Sequence, residues 1–255
     1  MHIGLSAIMV VRNEENKIRR CLESLRWVDE IVVLDQSSVD GTAGICREYA
    51  DKVFVVEPKG FCEPDRAEAL AKAAREWVLY IDADEVVSLE LAAEIKSLLS
   101  AGPEYESYQI PRKNIFLGKW IKGSAWHPGY SLRLFKKGSV KFLNEIHTNP
   151  MPLKKVGYLN NALIHYACED LKEYIDKTER YASILAGQAY AGGERISAKN
   201  FIWRLYVLPA VYFFHRLILK AGIRDGFQGV LIASLTYRTI FMKNAKLLKM
   251  QKERR

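Results

Sequence analysis

The sequence predicts an α/β fold: a mixed, mainly parallel sheet flanked by helices, with a helical extension at its C-terminal end. Three observations point there. Over the first hundred residues, short β-branched apolar runs alternate with helix-period stretches. From about Gly102 the pattern turns to aromatic, alternating segments with Gly and Pro breaks, as in antiparallel strands and long loops. From about residue 196 it becomes apolar and basic. The chain accordingly divides into 1–100, 101–195 and 196–255.

Taken in order, "LSAIMVV" (5–11), "EIVVLD" (30–35), "KVFVV" (52–56) and "WVLYID" (77–82) read as buried strands, each bounded by polar residues. Helical patterns separate them at Glu15–Leu25, Thr42–Ala50 and Pro64–Arg75, and Ser88 caps another that runs to Leu99. Such alternation implies parallel strands with right-handed crossovers, and ligands bind beyond the carboxyl ends of such strands. Asp35 and Asp82, read as the last residues of two strands, should share that edge. "SYQIPRKNIFLGKWI" and "YSLRLFKKGSVKF" read as antiparallel. Asp170 and Glu173 have capping-box spacing at the head of a helix through Tyr190.

The composition sets limits. With 255 residues, 49% apolar and 11% aromatic, the chain is a packed globular protein. Its charge of +8 is uneven: from Lys199 onward there are twelve Lys and Arg against two acids, a local +10 that leaves −2 for the first 198 residues. A near-neutral body with a basic tail is not the footprint of a nucleic-acid binder; it suits a soluble head resting on an anionic membrane. "LYVLPAVYFF" (205–214) is only ten residues long, against the roughly 20 that a span needs. Helices lying in the interface are therefore expected, with Pro209 as a kink or re-entrant turn. The competing reading is a core helical pair or a dimer interface, so a homo-oligomer stays open. Cys21, Cys46, Cys62 and Cys168 form no CxxC pair and read as buried thiols of a reducing, cytosolic compartment. No secretory signal is evident at Met1.

The chemistry concentrates in "YIDADE" (80–85). Carboxylates this close repel unless a cation sits between them. At a strand end Asp82 and Asp84 would share a face, and such a pair can hold Mg²⁺ or Mn²⁺ together with a diphosphate. A lone DxD is common in turns; here it follows the fourth strand, 47 residues after Asp35. Plainer readings stand beside these: a helix start for Asn13, Glu14 and Glu15, turn and cap chemistry for Asp40 and Thr42, a solvated charge for Arg66.

"IMVVRNEENKIRRCLESL", "DEIVVLDQSSVDGTAGI", "GFCEPDRAEALAKA" and "EWVLYIDADE" together make the chain resemble a family-2 glycosyltransferase of GT-A (Rossmann-like) fold. "WHPGYSLRLFKKGSVKF", "EIHT", "LIHY" and, more loosely, "RDGFQG" are similar to the lipopolysaccharide-core glucosyltransferase subgroup. The resemblance implies a nucleotide-sugar-binding half at 1–100 and an acceptor-binding half at 101–195. It places Val11, Asn13 and Glu14 at the base and ribose, Asp35 at the uracil edge, Arg66 at a donor phosphate and Asp82 near the ribose and metal-bound water. Asp84 would be the direct ligand of a divalent metal, Mg²⁺ or Mn²⁺, and Glu85 a helix-entry or structural acid. Relatives commonly carry His-Glu after the "RLF" strand; this chain has Thr148 in place of that Glu, so Glu145 or His147 would be the general base. Trp126, His127 and Arg133 would line the acceptor site, a core Trp and a structural Arg being the competing reading. His165 reads as a satisfied core histidine.

The implied reaction is inverting transfer of a hexose from a UDP-sugar to a lipopolysaccharide-core or other lipid-linked saccharide, at the cytoplasmic face of the inner membrane. The alternatives are a polyprenyl-phosphate glycosyltransferase, which needs no strong base, and a catalytically silent sugar-binding or scaffold protein. A nucleotidyltransferase would want a Gly-rich phosphate loop that "VVRNEEN" lacks.

Overall fold

The computed structural model describes residues 4–58, 63–142 and 150–253. The chain forms two compact units, Met1–Lys113 with Gly129–His165, and Asn114–Pro128 with Tyr166–Arg255.

The first hundred residues fold as β1 (Leu5–Val11), α1 (Glu15–Glu23), β2 (Glu30–Asp35), α2 (Thr42–Tyr49), β3 (Lys52–Val55), α3 (Glu63–Lys72), β4 (Trp77–Tyr80), β5 (Glu85–Val87) and α4 (Leu89–Ala101). Then come β6 (Ser107–Phe116), β7 (Lys119–Trp120), β8 (Gly129–Lys136), β9 (Val140–Lys141), β10 (Met151–Pro152), β11 (Gly157–Tyr158) and β12 (Leu163–Cys168). One sheet has the order β3-β2-β1-β4-β8-β6-β12-β5, with β7 and β11 also paired to β6. β1 is flanked in parallel by β2 and β4, and β3 continues that parallel half. β8 joins β4 antiparallel and makes the sheet mixed.

Alternation along β1 explains the layering. Leu5, Ala7, Met9 and Val11 pack on one face with Ile18 and Leu22 of α1 and Leu91 and Ile95 of α4; Ile8 and Val10 pack on the other with Ala69 of α3 and Ala73 just beyond it. Ser88 caps α4, its hydroxyl accepting from the Leu91 N–H at 3.2 Å. Glu94 on α4 then accepts four hydrogen bonds from the backbone and amide groups of Asn160 and Asn161.

The second unit contains α5 (Leu171–Ala191), α6 (Leu208–Phe214) and α7 (Phe227–Glu253). The Asp170 carboxylate caps α5 by accepting from the Glu173 N–H at 2.9 Å. Wide π-helical turns, Trp203–Val207 and His215–Leu219, flank α6 and carry the chain past Pro209. α7 packs on α5, and its Arg238 and Lys246 pair with Glu179 there. α7 is therefore committed to a core, the competing reading of the sequence, whereas the segment before it exposes apolar side chains. No helix among the described residues is long and apolar enough to cross a membrane.

A clip built on "RDGFQG" closes this unit. Asp225 is 3% exposed and accepts from the N–H groups of Lys122 and Gly123 at 3.1 and 2.7 Å. Ser124 N–H donates to the Lys220 carbonyl at 2.7 Å, and Arg216 donates to the Ser124 carbonyl. The chain approaches itself so closely there that a Cβ on Gly229 would lie 1.8 Å from the Gly222 carbonyl oxygen.

Candidate active site

β4 ends at Tyr80, two residues before the expected Asp82, because the chain turns: Glu85 N–H donates to the Asp82 carbonyl at 3.0 Å. Strand alternation does not extend through this turn, so Asp82 and Asp84 have different partners rather than one shared face. Asp82 accepts from the Tyr80 hydroxyl at 2.6 Å and pairs with Arg133. Asp84 lies 3.4 Å from His165 Nε2. Glu85 is fully buried and pairs with Arg133 at 2.8 Å and Arg112 at 3.4 Å, the structural role expected of it.

Arg133 reaches both acids because of a β-bulge. β6 and β8 pair Tyr108 with Leu134 and then Gln109 with Leu132, leaving Arg133 as the extra residue. A bulge re-aims a side chain and changes the parity of the strand. Leu134 consequently packs with the α1 and α4 face and Leu132 with the α3 face, though residues two apart ordinarily share one. Arg133 is 3% exposed, with its guanidinium carbon 4.6 Å from the centre of the Tyr80 ring. Arg66, on α3, lies 4.8 Å from the same ring. Gln36, after β2, fixes the first turn of α3 by donating to the Asp65 carboxylate at 2.6 Å, with both side chains buried.

The field of these groups separates the two acids. At Asp82, burial pushes the carboxyl up but is outweighed by the guanidiniums of Arg133 and Arg66, which hold it well below the usual carboxylate range. At Glu85, burial prevails and pushes the carboxyl up. Cys21 donates to the Asp82 carbonyl at 3.5 Å, and burial first, then the neighbouring acids, raise its thiol far above the ordinary range. It is a packed thiol, as are Cys46 and Cys168.

Beside this turn, two loops at the ends of β1 and β2 are laced together. Asn13, at φ 54°, donates from its N–H to the Ser38 hydroxyl at 2.9 Å and accepts from the Val39 N–H at 2.9 Å. Glu14 N–H donates to Thr42 Oγ1 at 2.8 Å. Asp35 is 1% exposed and accepts from the hydroxyl and N–H of Ser38. Val11 is buried, and its carbonyl accepts from the Gln36 N–H. Asp40 accepts from the N–H and hydroxyl of Thr42, the turn chemistry expected of that pair.

Trp126 and His127 belong to the second unit. Trp126 stands edge-on to Phe116 at 5.8 Å within an apolar cluster, and the exposed His127 stands edge-on to Trp120 at 5.4 Å. Glu145, His147 and Thr148 lie outside the described residues. Among the described residues no group of three or more His, Cys, Asp and Glu side chains gathers as a metal site. Asp84 and His165 nevertheless present a carboxylate oxygen and an imidazole nitrogen to one place. The site thus unites Arg66 and Asp82 and adds Tyr80, Glu85 and His165; Arg133, expected beside Trp126 and His127 at the acceptor site, is instead buried against Asp82 and Glu85, as the competing structural reading has it. The signal for His165 was sheet register: β12 runs antiparallel to β5 with His165 opposite Glu85.

The sequence model for glycosyl transferase family 2 matches residues 6–156. The chain belongs to that family. This family-2 glycosyltransferase is similar to the lipopolysaccharide core biosynthesis glycosyltransferase LpsC of Rhizobium meliloti, at 28% identity over 96% of this chain and 92% of LpsC. It is also similar to the uncharacterized glycosyltransferase RT0209 of Rickettsia typhi, at 27% identity over 95% and 86% of the two chains. Among solved structures, S. aureus TarS 1–349 in complex with UDP-GlcNAc superposes with a TM-score of 0.51 at 15% identity, covering 96% and 93% of the chains. The mannosyltransferase PcManGT of Pyrobaculum calidifontis, in complex with GDP-Man and Mn²⁺, gives 0.51 at 18% identity, covering 97% and 85%. At such identities the likeness is one of fold, and the family-2 transferase has the GT-A architecture expected of it.

Proposed function

We propose that this transferase moves a hexose, with inversion, from a UDP-sugar to a lipopolysaccharide-core or other lipid-linked saccharide. The observation that carries this reading is the Asp82–Glu85 turn. It sets an arginine-held carboxylate, a carboxylate–imidazole pair and Arg66 together, in a family-2 chain similar to LpsC over nearly its whole length. TarS, with UDP-GlcNAc bound, supports a uridine donor; PcManGT, with GDP-Man bound, makes GDP the necessary control.

Asp84 and His165 would hold one divalent ion, the carboxylate oxygen and imidazole nitrogen being donors that suit it. When bound, such an ion would stabilise the charge of the departing diphosphate. The chain's own residues do the rest. Arg66 pairs with a donor phosphate, and the laced Asn13, Glu14 and Ser38 loops hold the nucleoside. Asp35 accepts the imide N–H of uracil, sharing it with a Ser38 hydroxyl that can rotate. Arg133 holds Asp82 ionised and aimed. Glu145 or His147 takes the proton of the attacking hydroxyl.

Calorimetry with UDP and GDP, with and without Mn²⁺, tests this on the wild type and on Asp84→Ala. Metal-dependent binding of UDP in preference to GDP is expected, weakened about tenfold or more in Asp84→Ala. Equal or tighter GDP binding sinks the uridine donor, and an unchanged Asp84→Ala affinity removes the metal from this turn.

A further inference from the structure

The helical stretch 201–219 of the second unit has two unlike faces. Leu205 and Pro209 are buried, Leu205 in a cluster with Phe241 and Leu247 of α7. Asn244 of α7 donates to the Arg204 carbonyl at 2.8 Å, so this face is occupied. The other face carries Trp203, Val207, Val211, Phe214 and Ile218, at spacings of four, four, three and four, which are 38–60% exposed. Ile223 and Phe227, at 64% and 71%, extend the exposed apolar surface past the turn. A contiguous patch of this kind marks an interaction surface rather than scattered surface hydrophobes.

Its charges say what covers it. Exposed Arg195 and Lys199 precede the stretch, and exposed Lys220 and Arg224 follow it. Within it the cations are occupied: Arg204 pairs with Glu194 at 2.6 Å, and Arg216 donates to the Ser124 carbonyl. An apolar strip with aromatic side chains, bracketed by cations at both ends, has the layout of a helix lying in a lipid headgroup region. A second copy docked face to face would bring two sets of these flanking cations together. An anionic lipid surface complements them instead.

We propose that residues 202–219 form a one-sided membrane-docking helix, lying flat with Trp203, Val207, Val211, Phe214 and Ile218 inserted and Arg195, Lys199, Lys220 and Arg224 at anionic headgroups. α7 fills the opposite face, which forbids a lipid-surrounded orientation. The inference stands apart from the choice of sugar donor, because its surface and its readout involve none of the donor-site residues.

Co-sedimentation of the full chain with vesicles of phosphatidylcholine and phosphatidylglycerol, against phosphatidylcholine alone, tests it. Binding should favour the anionic vesicles and fall with added salt. Phe214→Asp with Ile218→Asp should lower the partition coefficient about tenfold or more while melting temperature and circular dichroism stay those of the wild type. Lys220→Glu with Arg224→Glu should reduce the preference for phosphatidylglycerol. Absence of vesicle binding by the folded wild type overturns the proposal, as does equal binding by the folded Asp variant. A lipid-free dimer that the Asp variant dissolves would assign the face to a second copy and overturn it as well.

Discussion

Arg133 is a single guanidinium between two carboxylates, and the chemistry of the turn depends on it. Removing it as Arg133→Met would leave buried Glu85 with Arg112 and the Asp82 N–H and strip Asp82 of its main counter-charge. Breaking a buried pair from one side costs about 3–5 kcal/mol, and Asp82's partial exposure favours the lower end. Urea unfolding should show a loss of about 3 kcal/mol; a change under 1 kcal/mol would mean that the acids find other partners. Arg133→Lys should fall between, since an ammonium keeps the charge but loses the planar face that lies over the Tyr80 ring. This residue also marks a boundary of what sequence conveys. Its place in "YSLRLF" reads as plain alternation, because a bulge is a property of the pairing between β6 and β8 rather than of either strand. His165 was hidden for the same reason: an inward histidine on an apolar strand reads as core until the register sets it beside Asp84.

Elements were far more legible than contacts. β1 and β2 begin and end where their apolar runs do, and the Ser88 and Asp170 caps form as their spacing implies, because each depends on chemistry within a few residues. β4 stops short of its apolar–acidic run because the turn at Asp82–Glu85 is held from outside, by Arg133 and Arg112. The head of α7 is likewise set by a close approach of backbone, that of the turn just before it. Gly229→Ala would drive a methyl into the Gly222 carbonyl and should destabilise the chain by about 3 kcal/mol, the upper range for overpacking. Gly187→Ala on α5 meets nothing within 4 Å and should be neutral or stabilising by up to about 1 kcal/mol. Thermal melts of the two variants check the contrast, and equal melting temperatures would deny the steric account.

Across the whole molecule, family and architecture could be read early because four motifs stand in order at the expected intervals, a pattern that local ambiguity does not erase. The acid stability of the fold could not, since it depends on which carboxylates acquire partners. At Glu30, burial raises the carboxyl but Lys52, Ser6 and the Ala74 N–H outweigh it; at Glu94, burial is outweighed by Asn160 and Asn161. Both folded values lie below the ordinary 4.5. The stability they contribute is therefore complete above that value and is lost as pH falls through the lowered folded values. The double variant Glu30→Gln, Glu94→Gln should be less stable at neutral pH and show a flatter acid limb in unfolding measured from pH 7 downward; a parallel limb would contradict the assignment. The Asp225 clip sets a further condition, one of timing. The N–H groups of Lys122 and Gly123 find their acceptor 103 and 102 residues later in the chain. At about 5–20 residues per second, a ribosome takes about 5–20 s to supply it. Throughout that interval the segment bearing Trp126 and His127 has left the ribosome, or is leaving it, without the group that closes it. The second unit of the newborn protein is thus finished by its last quarter, and a message cut short there leaves its earliest segment, Asn114–Pro128, without the acceptor that closes it.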